Sequence, residues 1–480
     1  MSSKLTGLDP QIEASMKDWM VPGLALAVVE GDRLIHCAGY GSRDPAQGLP
    51  MTPETRYRMA SNTKAFTAMA VAMLVDEGKV AWDTPVRRYI PELRLFDPYA
   101  TDHLTPRDLL CHRSGLPAHD WSGWGGLDRA SIPTRLAYLE PSCDIRTKLQ
   151  YNNLMFMLAG YLVERVSGAG YERFVTDRIL KPLGMEHSGF SFGRAIQSGN
   201  FAECYWRKGD ELVLYRHDTA SDPDEINPGA PAGGLVSTAR DLVPWVVAHL
   251  NGGACGDTRI VSEACLTEMH TPQMIDNWPC RYPEMGHSSA ALGWFVWTYR
   301  GQRLVLHGGA FGSQIVMMPS RRIGIIYLPT LGMYSNLYEE ICFTVFDRLL
   351  GLDPLPWHER LISEMGKQRE KEAEEKAKGG CDRKAGTHPS RMVEDFCGVY
   401  EHPACGKVTI SSSGGSLFAK GAWEKLPLRH YHYDSFELLS DSGDPVVRLT
   451  FHTDGTGVVS SFSGPMERSV KDVVFTRVSS

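Results

Sequence analysis

The 480-residue sequence predicts an α/β (α+β) chain: an antiparallel sheet flanked by helices, an all-helical lobe, and a small all-β barrel at the end. Three observations carry that expectation. Apolar strand-like runs occur near the start and again around 292–328, with a long helix-patterned stretch between them. A strongly charged segment then separates this part from a final series of short strands.

The elements follow in order. Residues 23–40, "GLALAVVEGDRLIHCAGY", are two apolar strands joined at Glu30-Gly31-Asp32, a hairpin signal. Helical patterns dominate from about Asn62 to Leu250. One helix is expected from about Asn153 to Val166, with Leu154, Met157, Leu158, Tyr161 and Leu162 on one face and Gly168 as its stop. The runs "LGWFVWTY", "RLVLHGG", "SQIVMMP" and "RIGIIYLP" are short, β-rich and divided by turn residues. They are expected to share one antiparallel sheet with the first hairpin, and a cleft beside the helical lobe is the natural place for a site. "MYSNLYEEICFTVFDRLLG" reads as an amphipathic helix ending at Gly351.

Composition changes at about Trp357, where a charged helix runs into a Gly, Lys and Pro-containing linker. From Arg391 about eight short strands at regular spacing predict a small barrel or sandwich. The expected division is therefore 1–355, a linker over 356–390, and a barrel over 391–480.

Composition also excludes functions. Hydrophobic content of 42% and charge of 22% are those of a soluble globular protein. A net charge of -7 and a pI near 6.2 argue against nucleic-acid binding, which needs a basic face. The N-terminal residues lack the apolar stretch of a secretory signal, and no run reaches the ~18 apolar residues of a membrane span. A cytoplasmic protein without membrane contact is expected. The eleven cysteines lack CxxC spacing and read as mostly buried free thiols; the spacing of Cys397 and Cys405 also fits a small closed loop, against which the free-thiol reading is preferred. The sixteen histidines show no zinc pattern beyond His430 and His432 alternating on one strand. No metal and no cofactor are expected.

Three short motifs carry chemistry. The first is Ser61-Asn62-Thr63-Lys64 at the head of "AFTAMAVAML". Residues three apart share a helix face, so Lys64 can aim its amine at the Ser61 hydroxyl. A serine needs an adjacent base to become a nucleophile, and burial favours the neutral, basic form of a lysine. A helix start also offers free N–H groups to an oxyanion at Ser61. The bland alternative is an exposed lysine on a first helical turn, but the apolar run leaves little room for a solvated face. The second motif is Tyr151-Asn152-Asn153. A tyrosine can relay a proton and an amide two residues on can bind a substrate carbonyl; equally, Asn152 or Asn153 can cap the following helix. The third is His307-Gly308-Gly309-Ala310 at a strand end, where glycines admit close backbone approach and a histidine supplies a positive or hydrogen-bonding group. Its bland alternative is a strand running into a loose turn.

In this order and on these elements, the motifs resemble the serine β-lactamase and penicillin-binding protein superfamily, in its class C branch of β-lactamase-related esterases, D-aminopeptidases and DD-peptidases. "LTPRDLLCHRSGLP", "KPLGM", "GGLVSTARDLVPW" and "LHGGAFG" support the resemblance, which covers roughly residues 8–350. It implies Ser61 as the acylated nucleophile, Lys64 as its base and Tyr151 as proton shuttle. It implies Asn153 as the contact to the substrate amide or acyl side chain, and a hole for the oxyanion at the Ser61 and Ala310 N–H groups, with Gly309 beside it. His307 stands where many relatives have a lysine, which weakens recognition of a substrate carboxylate and points toward esters, amides or D-residue peptides. The C-terminal strands resemble the lipocalin-like barrels that some members carry.

The expected function is thus a serine hydrolase of small esters, amides or peptides. An intracellular acyltransferase or peptide-cyclising thioesterase would use the same acyl-enzyme. A non-catalytic binding protein with the retained fold is the third reading. Specificity is expected from "HDWSGWGGLDRAS" (His119 to Ser131) and "HTPQMIDNWPCRYPEMGHS" (His270 to Ser288). Whether the chain forms a homo-oligomer is left open.

Overall fold

The computed structural model describes residues 3–123, 128–215, 227–277, 279–332, 335–378, 383–440 and 443–478. Residues 124–127 and Trp278 of the two expected specificity loops, and 379–382 of the expected linker, lie outside the described residues. Two compact units emerge: residues 1–84, 105–112 and 159–369, and residues 85–104, 113–158 and 370–480.

The first unit is built on a nine-stranded antiparallel sheet. Its leading elements are α1 (Leu8–Asp18), β1 (Gly23–Glu30), β2 (Arg33–Asp44) and α2 (Thr63–Asp76). Helix α3 (Asn153–Ser167) begins in the second unit and ends in the first; α4 (Leu242–Leu250) follows. Strands β3 (Phe295–Tyr299), β4 (Gln302–Gly308), β5 (Gln314–Met318) and β6 (Ile323–Pro329) lead into α5 (Leu337–Leu350) and α6 (Trp357–Lys378). The sheet order is Met274–Ile275, Ser289–Ala290, β3, β4, β5, β6, β1, β2, Leu49–Pro50. The first hairpin and the late strands therefore form one sheet, as their apolar runs predict. Leu26 lies opposite both Tyr327 and Ala38.

Strand β1 is buried along almost its whole length because both faces of the sheet are covered. Leu24, Leu26 and Val28 join a core with residues of α1, α5 and α6 such as Ile12, Phe346 and Trp357. Ala25, Ala27 and Val29 alternate to the other face, the side on which α4 packs. Helix α2 is buried at every position from Thr63 to Leu74. Phe66 stacks on Trp245 of α4 with ring centroids 3.9 Å apart. Burying side chains of this size stabilises by about 1.5–3 kcal/mol each. The two threonines in its first turns are buried with partners: Thr63 Oγ1 donates to the Ala60 carbonyl (2.6 Å) and Thr67 Oγ1 to the Pro231 carbonyl (2.6 Å).

One departure lies inside the stretch that reads as helical. Tyr205–Lys208 pairs with Glu211–Leu214 as a short hairpin across a turn at Gly209. Its outer strand is mostly exposed and carries no apolar alternation long enough to register as β.

The second unit holds short helices of the lobe together with a closed barrel. The barrel strands are β7 (Gly398–His402), β8 (Gly406–Ser413), β9 (Ser416–Lys420), β10 (Leu426–His432), β11 (Ser435–Leu439), β12 (Pro445–Thr453), β13 (Val459–Gly464) and β14 (Val473–Val478). Each pairs with the next, and β7 closes on β14 with Tyr400 opposite Arg477. Aromatic rings fill its interior. Phe396 meets Phe451 at 5.0 Å, and Phe462 stacks on Phe475 at 4.8 Å. An eight-stranded barrel has room for side chains or for one small ligand, and here the rings occupy the middle. His430 directs Nε2 to the Tyr433 carbonyl (2.9 Å). Among the described residues no group of three His, Cys, Asp or Glu is placed to hold a metal ion. The described cysteines, Cys397 and Cys405 among them, are unbridged. Among the described residues no helix is long and apolar enough to cross a membrane.

Candidate active site

Ser61, Lys64, His307, Gly309 and Ala310 belong to the first unit, and Tyr151 and Asn153 to the second. A tight turn over Ala60–Asn62 feeds directly into α2. Ala60, the residue before Ser61, holds φ at +45°, a conformation that costs a non-glycine residue about 1–3 kcal/mol. Ser61 is half-buried, whereas Lys64 is fully buried at 0% exposure. The Lys64 Nζ donates to Ser61 Oγ at 3.0 Å and to the Ala232 carbonyl at 2.7 Å. One helical turn thus separates the two residues in sequence and a hydrogen bond joins them in space.

The strained turn is clamped from the end of β4. Gly309 packs so closely that a Cβ there would lie 2.4 Å from the Met59 carbonyl oxygen and 3.2 Å from the Ala60 Cβ, so only glycine fits. Ser313 Oγ donates to the Met59 carbonyl at 2.9 Å, and Asn62 Nδ2 donates to the Ser313 carbonyl at 3.1 Å. The Ser61 N–H sits in a first helical turn, where N–H groups lack intrahelical acceptors. Among the described residues neither it nor the Ala310 N–H is taken up by a backbone carbonyl.

His307 is 3% exposed, and its Nδ1 lies 2.8 Å from the Gly308 carbonyl. Burial, reinforced by the neighbouring Lys64, pushes its pKa down to about 3. Of the two roles open to it in the sequence, the positive group is removed near neutral pH and the hydrogen-bonding group remains. Sequence reasoning passed over His112. It is fully buried, holds φ at +58°, and is pushed well below the ordinary histidine range by burial, then by Lys64 and His307. Phe295 stands against both imidazoles, 6.3 Å from His112 and 5.5 Å from His307. His112 lies within "LTPRDLLCHRSGLP", but no local pattern marks it as a neighbour of Lys64.

In the second unit Asn152, not Asn153, caps α3. Its Oδ1 accepts the Met155 N–H at 3.1 Å and its Nδ2 donates to the Pro117 carbonyl at 2.5 Å. Asn153 is half-buried and its Nδ2 donates to Asp120 Oδ1 at 3.1 Å. The cap therefore falls on Asn152, while Asn153 reaches Asp120. A separate cleft of about 670 Å³ opens in the first unit beside Arg56, Glu172, Arg173, His187 and Arg194. Its lining includes none of the three motifs, so its size is no guide to the chemistry.

The Beta-lactamase family profile matches residues 8–334, more than half of the chain. The chain belongs to the beta-lactamase family. A second profile, a domain of unknown function (DUF3471), matches residues 382–477 of this beta-lactamase-family chain, the part that folds as the barrel. The chain is 28% identical over 420 residues to an unguisins hydrolase of Aspergillus campestris, covering 83% of this chain and 76% of that one. It is 25% identical over 331 residues to protein flp of Staphylococcus aureus, covering 68% and 62%. Among solved structures it is similar in fold to the octameric penicillin-binding protein homologue from Pyrococcus abyssi (TM-score 0.62, 23% identity, 98% of this chain and 99% of that one). EstCE1, a hydrolase with promiscuous acyltransferase activity, matches with TM-score 0.61 and 18% identity over 72% of this chain and 98% of its own. D-amino acid amidase from Ochrobactrum anthropi SV3 matches with TM-score 0.57 and 24% identity over 72% and 99%. Relatives named as hydrolases and an amidase are thus among the proteins this chain is similar to.

Proposed function

We propose that the protein is a serine hydrolase that works through a covalent acyl-enzyme on Ser61. The observation that carries the reading is the 3.0 Å contact between Ser61 Oγ and the fully buried Lys64 amine. In its deprotonated form the Lys64 amine, at that distance, takes the serine proton as Oγ attacks an acyl carbon. The tetrahedral oxyanion is held by the Ser61 and Ala310 N–H groups. The proton then passes to the leaving group, a step assigned to Tyr151 from its motif, and water releases the acyl group. Asn153 takes the substrate-amide contact on the same ground.

Small esters, amides and D-residue peptides are the proposed substrates. His307 is neutral near pH 7 and offers no cation to a substrate carboxylate. The relatives named as an unguisins hydrolase and a D-amino acid amidase point the same way. A second reading, acyl transfer to an alcohol or amine, is kept open by the likeness to EstCE1. Assembly into a homo-oligomer is proposed from the octameric relative alone.

The test is intact-mass spectrometry after exposure to a fluorophosphonate probe. One adduct per chain is expected, lost in Ser61→Ala. A folded parent protein that takes up no adduct would remove the catalytic reading.

A further inference from the structure

The barrel touches the chain beside the Tyr151 motif. In an up-and-down barrel alternate connections lie at the same rim, so the β7–β8, β9–β10 and β13–β14 connections share one end. Two of these reach residues 117–122 of the same compact unit. From the β9–β10 connection, the Trp423 ring meets Trp121 edge to face, with centroids 5.2 Å apart and planes at 80°. Trp423 is itself seated on Gly421, where a Cβ would come within 2.4 Å of the indole. Its indole N–H is buried without an acceptor among the described residues, so ring packing holds it in place. From the β13–β14 connection, Glu467 Oε2 accepts the His119 N–H at 3.2 Å, and its Oε1 accepts the Ser469 N–H and hydroxyl at 3.1 and 2.7 Å. Lys471 lies 3.8 Å from Glu140, whose carbonyl is 2.9 Å from His119 Nε2. The β7–β8 connection completes the rim, with His402 and Cys405 within electrostatic reach of His119 and Arg135.

Two further contacts of this strap run to the motif. The Pro117 carbonyl accepts from Asn152, and Asp120 accepts from Asn153. His119, between them, is buried with φ at +46°, a backbone held against its own preference. The strap is therefore gripped by the barrel on one side and grips both asparagines on the other.

We propose that Trp423 and Glu467 are positioning residues for substrate recognition: through the 117–122 strap they set the orientation of the Asn153 carboxamide. This rests on the reading of Asn153 as the substrate-amide contact. Substrates with an amide on the acyl side feel that orientation, and a simple acetate ester, which has no such amide, does not.

The experiment compares full-length parent, Trp423→Ala, Trp423→Phe and Glu467→Gln on an N-acyl-aminoacyl ester and on an activated acetate ester, with fluorophosphonate labelling of Ser61 in parallel. For Trp423→Ala the KM for the N-acylated substrate is expected to rise about five- to tenfold, the scale of one misplaced hydrogen bond, with kcat and the acetate ester little changed. Trp423→Phe is expected to restore the parent value, because the indole N–H has no acceptor among the described residues to lose. Glu467→Gln, which keeps an acceptor, tests the second contact by a smaller rise of the same kind. Both substrates unchanged, or both falling together, overturns the proposal, as does failure of phenylalanine to rescue. A parent that is not labelled by fluorophosphonate instead overturns the Ser61 reading, so the two failures are distinguishable.

Discussion

The Ser61 turn and the Asn152–Asn153 turn are held in opposite ways. The Ser61 turn is locked by main chain and buried groups: Gly309 pressed on Met59 and Ala60, Ser313 on the Met59 carbonyl, and Asn62 on Ser313. The Asn153 side chain is held by Asp120, which is exposed, within a strap gripped by loops of another fold element. The difference teaches where this chain spends its rigidity. The turn that carries the proposed nucleophile is close-packed and tolerates no added atom at Gly309, whereas the proposed recognition amide of Asn153 is held by the exposed Asp120, which sequence change can retune.

The comparison breaks most visibly at Gly309. Gly309→Ala must push back the Met59 carbonyl, and a shift of ~1 Å at the nucleophile costs about 10²-fold in rate. Acylation of Ser61 is expected to fall by about that factor with a lower Tm, measured by probe-labelling kinetics and thermal unfolding. A variant that labels as fast as the parent would mean the turn is looser than its packing implies.

A smaller effect should appear in acid. His307, at about 3 when folded, and His112, His249 and His270, all depressed chiefly by burial, stay neutral in the native protein while the unfolded chain protonates near the ordinary histidine value of 6.5. Where the unfolded state binds more protons, stability rises with pH, so it is lost progressively as pH falls from about 6.5 toward 3. His307→Gln removes one such group and is expected to flatten the Tm profile between pH 6.5 and 4; a parent Tm that stays constant from pH 7 to 5 would contradict the burial of these imidazoles. The smallest effect belongs to the strap, where Glu467→Gln leaves the acylation chemistry alone. Burial alone would raise Glu467, but donors from Ser469 and His119 outweigh it and hold its pKa below the usual carboxylate value.

Much of this was legible in the sequence wherever the signal is local. The sheet followed from apolar runs with turn residues between them. Ser61 and Lys64 stood out because a lysine three residues after a serine heads an apolar helix that gives it no solvated face. The eight closing strands announced themselves by spacing, although closure rather than a sandwich depends on the pairing of β7 with β14. What stayed hidden is long-range. His112 meets Phe295 across 183 positions of chain, and nothing local distinguishes it from other histidines. The αL backbone at Ala60 and His112 has no signature in an alanine or a histidine. Trp423 and Glu467 sit in short connections of ordinary composition, and their partners lie some 300 residues earlier. The choice between Asn152 and Asn153 as cap was undecidable from two adjacent identical residues and fell to which carboxamide reaches the Met155 N–H.

The central claim is that Lys64 activates Ser61. It is tested most directly by rapid-quench mass spectrometry of acyl-enzyme formation with an activated ester, comparing the parent with Lys64→Ala. The account predicts an acyl group on the peptide containing Ser61 in the parent, and acylation slower by about 10³-fold or more in the variant while its fold is retained. Lys64→Ala acylating as fast as the parent would contradict it.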